Sequence, residues 1–360
     1  MAQQGKVKFH LPGLSFNYPI NMLFVDLMKN KPEFFRENIE IGSFFGEFPT
    51  SLWNGGRFSF GAQCPEGMVR QVVKNINDMG IPVRYTYTNP IIYEEDLADP
   101  FCNFCMQVGD NGMNEVMILS PVLEKYIRER YPSYKHNSST CKQIRDLDRL
   151  KEELSKDYYL VVLDQNLIRD FDFLDQIEDK SRIELLANSC CGPNCTRRAE
   201  HYNVISAQQR VVLANREIWR GKDPKEVFAS LPDYVKERLP EEARGGKLSM
   251  DPGGRPFIPL PEFQCAYGGY DNPYKVRKNI NYIPAAELWE KYVPMGFRNI
   301  KLEGRTDNAF FVVDNYVEYM CLPEAKDEAR YTMLVQLKEH GILGQNRNWW
   351  AKRPGQGAGR

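Results

Sequence analysis

Three cysteines fall within six positions of the sequence, at Cys190, Cys191 and Cys195, directly after a short apolar segment. Thiolates bind zinc and iron–sulfur clusters alike, and the C-x3-C spacing occurs in both kinds of site. Neighbouring side chains on an extended strand diverge, so Cys190 and Cys191 do not both ligate one cluster with ease. His201 follows on the same stretch as a further ligand, an acid–base residue or a structural histidine. The spacing therefore predicts a metal centre without naming the metal.

A second set of polar residues follows the last predicted strand, where Lys301, Glu303 and Arg305 alternate. Side chains two apart on a strand point to one side, although the turn at Gly304 redirects Arg305. A Lys–Glu pair at the end of a strand either binds a carboxylate and exchanges protons, or closes a barrel as a buried ion pair. We take Lys301, Glu303, Arg305 and His201 as catalytic candidates.

A glycine pair in the segment WNGGRFS indicates a weaker site, for an anion. Glycines let backbone N–H groups approach a ligand closely, so Asn54 and Arg57 are substrate-binding candidates there. Asn188, immediately before the cysteines, is a third. Cys102 and Cys105 form a separate C-x2-C pair, which is either a zinc or redox site or two half-buried thiols on one helical turn.

The elements that must position these residues alternate between strand and helix. Apolar runs and helical spacing predict eight strand–helix units, typical of a (β/α)8 TIM-like barrel in the α/β class. The predicted strands cover residues 38–48, 81–88, 115–119, 134–141, 158–163, 183–187, 262–267 and 297–302. An open doubly wound sheet is the competing fold, but no G-x-G-x-x-G follows the first predicted strand and no P-loop occurs.

The chain length of 360 residues suits one barrel with additions. We expect residues 1–37 to form a lead-in helix and residues 38–322 the barrel, with an insertion at about 211–260 before strand seven. Residues 323–360 are expected to form a helix and a flexible C-terminal tail.

Barrel active sites lie at the carboxyl ends of the strands. This rule brings eight of the nine cysteines toward one face, and only Cys321 falls elsewhere. Those expected on that face are Cys64, Cys102, Cys105, Cys141, Cys190, Cys191, Cys195 and Cys265.

Composition limits the classes of partner and compartment. The formal net charge is −1, so no global basic field gathers nucleic acid, although a local basic patch would suffice for an RNA substrate. No apolar run approaches the ~20 residues that cross a bilayer. The N-terminus lacks the pattern of a signal peptide, which predicts a cytoplasmic protein with reduced or metal-bound thiols.

Three segments resemble, in order and spacing, the family labelled peptidase U32. They are GGRFS at residues 55–59, the cysteine-bearing segment 188–202 and KLEGR at 301–305, and the resemblance covers roughly residues 38–320. It implies a barrel that binds a [4Fe-4S] cluster through four cysteines. Better understood members are similar to oxygen-independent hydroxylation factors that act on RNA bases or a quinone-precursor ring, some as heterodimers.

The short C-x3-C is similar to the quinone-pathway branch, because most members have longer gaps between the first cysteines. The resemblance implies Cys191 and Cys195 as ligands, completed by Cys265 and Cys190 with Cys64 in reserve; zinc is the alternative metal. Three functions follow: an iron–sulfur oxidoreductase, or a subunit of one, that modifies a small molecule or RNA base; a U32-type peptidase; or a non-catalytic metal-binding scaffold. A peptidase lacks support from any H-E-x-x-H pattern. A scaffold would present the insertion and the tail bearing Trp349 and Trp350 to a protein partner. A homo- or heterodimer is the other form of assembly expected.

Overall fold

The computed structural model describes residues 5–56, 64–265, 273–304 and 308–343. Eight parallel strands close into a barrel in the order β1-β10-β7-β6-β5-β4-β3-β2, which confirms the predicted fold class. The barrel strands are β1 Val7–Pro12, β2 Ile39–Gly46, β3 Val83–Tyr87, β4 Glu115–Ile118, β5 Lys135–Ser138, β6 Leu160–Val162, β7 Ile183–Leu186 and β10 Asn299–Lys301; an antiparallel pair outside the barrel comprises β8 Ser249–Met250 and β9 Pro256–Phe257.

Helices connect the strands and cover the barrel. They are α1 Tyr18–Asn30, α2 Glu66–Asp78, α3 Pro100–Val108, α4 Pro121–Arg130, α5 Leu147–Ser155, α6 Phe171–Asp175, α7 Arg198–Trp219, α8 Pro224–Ala229, α9 Asp233–Lys236, α10 Ala285–Glu287, α11 Val293–Met295, α12 Ala309–Met320 and α13 Lys326–Glu339. A π-helical turn, Leu288–Tyr292, joins α10 to α11. The predicted C-terminal helix is present as α13, which packs against α1 and α12. No helix in the described ranges is long and apolar enough to span a bilayer.

The barrel begins earlier than the sequence predicts. Strand β1 lies between β10 and β2, whereas we expected residues 1–37 to form only a lead-in helix. Phe9 and Leu11 are fully buried, and His10 between them is buried as well. A strand that is covered on both sides usually reads as a continuous apolar run. In β1 the run is interrupted by His10, which faces the polar interior of the barrel.

The predicted seventh strand is not part of the barrel. Residues 262–265 adopt no strand, and residues 266 and 267 lie outside the described residues. Strand β7 pairs with β10 on one side and with β6 on the other, so both of its edges are already occupied. The predicted number of eight strands is nevertheless right, because the barrel contains β1, which was not predicted, and lacks the strand predicted at 262–267.

The insertion before the last strand has a hydrophobic core of its own. Helix α7 runs straight from the cysteines into this region, and α8, α9 and the β8–β9 pair pack around it. Buried members of this second core include Ala207, Val211, Val227, Val235 and Ile258. The insertion is therefore a small structured unit built on α7.

Charged side chains fill the middle of the barrel. Arg84 on β3 and Glu184 on β7 stand on opposite sides, and their side chains form an ion pair across the interior. Arg84 Nε also lies 2.6 Å from Glu115 Oε2, and Arg84 Nη2 lies 2.9 Å from His10 Nδ1. Burial, with the nearby charge of Arg84, lowers the pKa of His10 to about 3, which keeps the imidazole neutral.

Candidate functional site

A cavity of about 640 Å³ opens where the barrel strands end. Its lining includes Phe45, Met117, Leu186 and Lys301, which come from four different strands. The rest of the wall comes from the cysteine loop (residues 189–196), the first turns of α7 and the 261–265 segment that leaves the insertion. This is the end of the barrel at which (β/α)8 enzymes place their chemistry.

All four cysteines predicted as first-choice ligands line this cavity. Cys190 is buried, Cys191 and Cys195 are half-buried, and Cys265 is exposed. A fifth thiol, Cys141, reaches the same cavity from the turn after β5. The structure thus collects soft donors from three separate segments of the chain.

The other predicted thiols on this face pack in the hydrophobic core. Cys102 and Cys105 lie on α3 with no exposed surface, and burial raises the pKa of both thiols. Cys64, the reserve ligand, precedes α2 and is 2% exposed, and its burial raises its pKa to about 12. Cys321 is also buried. Since the thiolate is the metal-binding form, these environments favour neutral packing groups.

The cysteine loop and the KLEGR segment meet directly. The backbone N–H of Cys190 donates to Glu303 Oε2 at 2.6 Å. The Asn188 side chain binds the backbone of the same glutamate: its Oδ1 accepts from the Glu303 N–H at 2.6 Å, and its Nδ2 donates to the Glu303 carbonyl at 3.1 Å. Asn188 is fully buried, so the structure gives this predicted substrate-binding residue a role in joining the ends of β7 and β10.

Lys301 connects the cavity to the charged interior of the barrel. Its Nζ lies 3.5 Å from Glu184 Oε1, 3.4 Å from Met117 Sδ and 4.2 Å from the centroid of the Phe45 ring. The lysine is 6% exposed, yet it lines the cavity. Lys301 is thus ion-paired with Glu184 rather than with Glu303, and it also reaches the cavity, while Glu303 accepts from the Cys190 N–H. The catalytic role of Lys301 stays a prediction.

His201 lies in the first turn of α7 and stacks on Phe263. The two ring centroids are 4.4 Å apart and the planes differ by 1°. The guanidinium of Arg197 lies 4.5 Å from the same phenyl centroid, and its Nη1 donates to the Gln264 carbonyl at 3.2 Å. These contacts fasten the 261–265 segment to the start of α7.

A buried arginine lines the cavity next to the cysteine loop. Arg198 is 2% exposed; its Nη1 lies 3.0 Å from Asp164 Oδ2, and its Nε donates to the Tyr202 hydroxyl at 2.7 Å. Burial raises the pKa of the Cys191 thiol, and the positive charge of Arg198 offsets part of that rise. The net shift still favours the neutral thiol, and Arg198 lessens it.

The glycine pair after β2 serves close packing. Gly55 and Gly56 have φ angles of 74° and 83°, and a Cβ on Gly56 would lie 1.9 Å from the Ile205 carbonyl oxygen of α7. Asn54 is fully buried, and its Oδ1 accepts from the Gly56 N–H at 2.8 Å. Of the residues predicted for an anion or catalytic role, Arg57 and Arg305 lie outside the described residues.

Sequence reasoning overlooked the residues behind Lys301. Glu184 lies in the segment IELL and Arg84 in VRYTY, and a charged residue inside an otherwise apolar or aromatic barrel strand was the available indication. Phe263 was assigned to a strand, which hid its contact with His201. Cys141 was placed on the correct face but was not proposed as a ligand.

Searches of family models and of curated proteins find no match to this chain. A solved structure titled "The Structure of the U32 Peptidase Mk0906" is similar over 84% of this chain and 95% of that chain, with a TM-score of 0.42 and 10% sequence identity. A likeness of this strength establishes neither a family nor an activity for the chain.

Proposed function

We propose that this cavity binds an iron–sulfur cluster through cysteine thiolates and modifies an anionic small molecule or an RNA base without using molecular oxygen. The observation that carries the proposal is the hydrogen bond from the Cys190 N–H to Glu303, because it joins a five-thiol cavity to a carboxylate and a lysine suited to bind and protonate a substrate. The U32 resemblance of the three sequence segments supports the same chemistry.

The donors fit a cluster in kind, since thiolates are its usual protein ligands. Across the described part of the chain, no three His, Cys, Asp or Glu side chains stand close enough to hold a metal ion. Binding therefore requires the thiols of the cavity to approach one another more closely than they do here. When bound, a cluster would supply electron transfer to or from the substrate.

Cys191, Cys195 and Cys265 are the first three proposed ligands. For the fourth, Cys190 competes with Cys141. The Cys190 thiol is buried and donates to the Asn188 carbonyl at 3.7 Å, whereas Cys141 is half-buried in the turn after β5, two strands away in the barrel. Cys141 lines the same cavity and joins Cys190 as a candidate for the fourth ligand.

Lys301 and Glu303 are the proposed substrate-binding and acid–base groups. The ammonium of Lys301 lies among Phe45, Met117 and Leu186, so it would attract the anionic group of a ligand whose flat, apolar part rests on these side chains. Charge attraction in such a dry environment is stronger than in water. Glu303 faces the same space and is placed to take or give a proton.

Anaerobic purification followed by iron, sulfide and zinc analysis tests this proposal. We expect iron and acid-labile sulfide with the visible absorption of a cluster, lost in Cys191→Ala and kept in the core variant Cys321→Ala. Glu303→Gln should keep the cluster and abolish product formation in cells. A colourless protein with one zinc per chain overturns the cluster, and hydrolysis of casein by that protein would support the peptidase alternative.

A further inference from the structure

The 261–265 segment forms a wall of the cavity although it belongs to no sheet. A strand in this place would be held by a ladder of backbone hydrogen bonds. Side chains of α7 hold the segment instead: Gln208 Nε2 donates to the Pro261 carbonyl at 2.7 Å, and Arg197 Nη1 donates to the Gln264 carbonyl at 3.2 Å. Its position therefore depends on a few side-chain contacts.

Phe263 is the largest of these contacts. Its ring is parallel to the imidazole of His201, and the guanidinium of Arg197 contacts the same ring. Arg197 is itself oriented by Glu200, whose two carboxylate oxygens each accept from it at 2.8 Å. A planar guanidinium fixed by a bidentate carboxylate offers a preformed surface for an aromatic ring.

The chain order gives this contact a consequence for the thiols. Arg197 is two residues after Cys195, and Phe263 is two residues before Cys265. The contact between Arg197 and Phe263 thus brings together two cysteine-bearing segments that are far apart in sequence. Cys265 is exposed, so burial of its own side chain does not hold its thiol in place.

We propose that Phe263 is the positioning residue that delivers Cys265 to the Cys191–Cys195 loop, by inserting into the surface made by His201 and Arg197. The proposal rests on the metal-binding function proposed above. Without the aromatic ring, the segment loses its stacking on His201 and Arg197 and keeps its hydrogen bonds to Gln208 and Arg197. The Cys265 thiol then samples a larger volume, which lowers its effective concentration at the metal.

Anaerobic titration of the metal-free protein with Co²⁺ alone measures this effect, because thiolate-to-cobalt absorption reports how many thiolates bind. We expect Phe263→Ala to weaken Co²⁺ binding by roughly tenfold, as loss of an outer-shell partner does, and to reduce that absorption. Phe263→Tyr should restore both. Trp219→Ala is the matched control, because Trp219 is a half-exposed aromatic of the insertion whose ring also lies under an arginine, Arg255 at 4.8 Å.

The double variant Cys265→Ser/Phe263→Ala tests whether Phe263 affects Co²⁺ binding through Cys265. If Phe263 acts through Cys265, the double variant binds Co²⁺ as Cys265→Ser alone does. A further loss in the double variant, or wild-type binding in Phe263→Ala, overturns the inference and leaves the metal site in place. A wild-type protein that binds neither Co²⁺ nor iron overturns the proposed function together with the inference.

Discussion

The ammonium of Lys301 lies 3.5 Å from Glu184 Oε1, at the boundary between the barrel interior and the cavity. The other oxygen of Glu184 pairs with Arg84, whose side chain crosses the barrel interior. One buried carboxylate therefore contacts both Arg84 and Lys301, the lysine that lines the cavity. Burial raises the pKa of Glu184, but the charges of Arg84 and Lys301 outweigh it and lower the pKa to about 2. Glu184 thereby fixes the position of Lys301.

Replacing Glu184 by Gln should destabilise the fold strongly. The change leaves Arg84 and Lys301 buried with one anion fewer, and removing one partner of a buried ion pair costs about 3–5 kcal/mol. Urea unfolding measures the loss. Glu40→Gln is the control, because Glu40 pairs with Lys8 at 3.6 Å on the surface and such pairs contribute about 0–1 kcal/mol. Equal losses in the two variants would contradict the central role of Glu184.

His10 should make stability depend on pH in the mildly acidic range. Its pKa is about 3 in the folded protein against an ordinary value of 6.5, so the unfolded chain binds the proton more tightly. Neutral His10 therefore contributes its full stability above pH 6.5, and that contribution falls as the pH drops toward 3. Urea unfolding as a function of pH should show this decline in the wild type.

The variant His10→Gln should reduce that pH dependence, since it removes the titrating ring and keeps a polar side chain. The part that remains comes from His136, because burial lowers its pKa to about 4. His340→Gln, at an exposed position after α13, is the control and should retain the wild-type slope. A wild-type stability that is constant between pH 6.5 and 4 would refute the assignment.

Much of the site follows from the sequence through one rule of barrel folds. Cys190, Cys191 and Cys195 were assigned to the carboxyl end of a strand, and they do line one cavity. Cys265 lines it too, but not for the predicted reason, because residues 262–265 adopt no strand. The rule fails for Cys64 and Cys102, because each lies where the chain after a strand has already reached the covering helix, and their thiols are buried in the hydrophobic core. The sequence alone does not show at which residue the loop ends and this packing begins.

The partner of Lys301 required three-dimensional information. Period-two alternation paired Lys301 with Glu303, but β10 ends at Lys301, so Glu303 lies beyond the strand. The lysine meets Glu184 from the neighbouring strand β7. Cross-strand contacts depend on register, which is set by the closed barrel as a whole. Strand β1 was overlooked for a related reason, because its His10 faces the charged interior.

Gly56→Ala should be more damaging than an alanine at another left-handed glycine. A Cβ at Gly56 would meet backbone atoms of Ile205, which cannot move aside without shifting α7. Gly112 has a similar φ of 78° but open space around it, so Gly112→Ala carries the backbone cost alone, about 1–2 kcal/mol. Thermal unfolding should give Gly56→Ala a lower melting temperature than Gly112→Ala. The reverse order would show that α7 does not pack closely against the loop that contains Gly56.

Asn188→Ala should loosen the contact between Glu303 and the cysteine loop. The side chain supplies two hydrogen bonds to the Glu303 backbone, and leaving such buried groups unsatisfied costs about 1–3 kcal/mol. Faster amide hydrogen exchange at Glu303 and Cys190 is the expected result, together with weaker metal retention. Asn166→Ala is the matched control, because Asn166 Oδ1 accepts from the Asn194 N–H at 2.8 Å and so supports the same loop at its other end. Exchange at Asn194 but not at Glu303 should rise in that variant; unchanged protection of Glu303 in Asn188→Ala would mean that β7 and β10 are joined without this side chain.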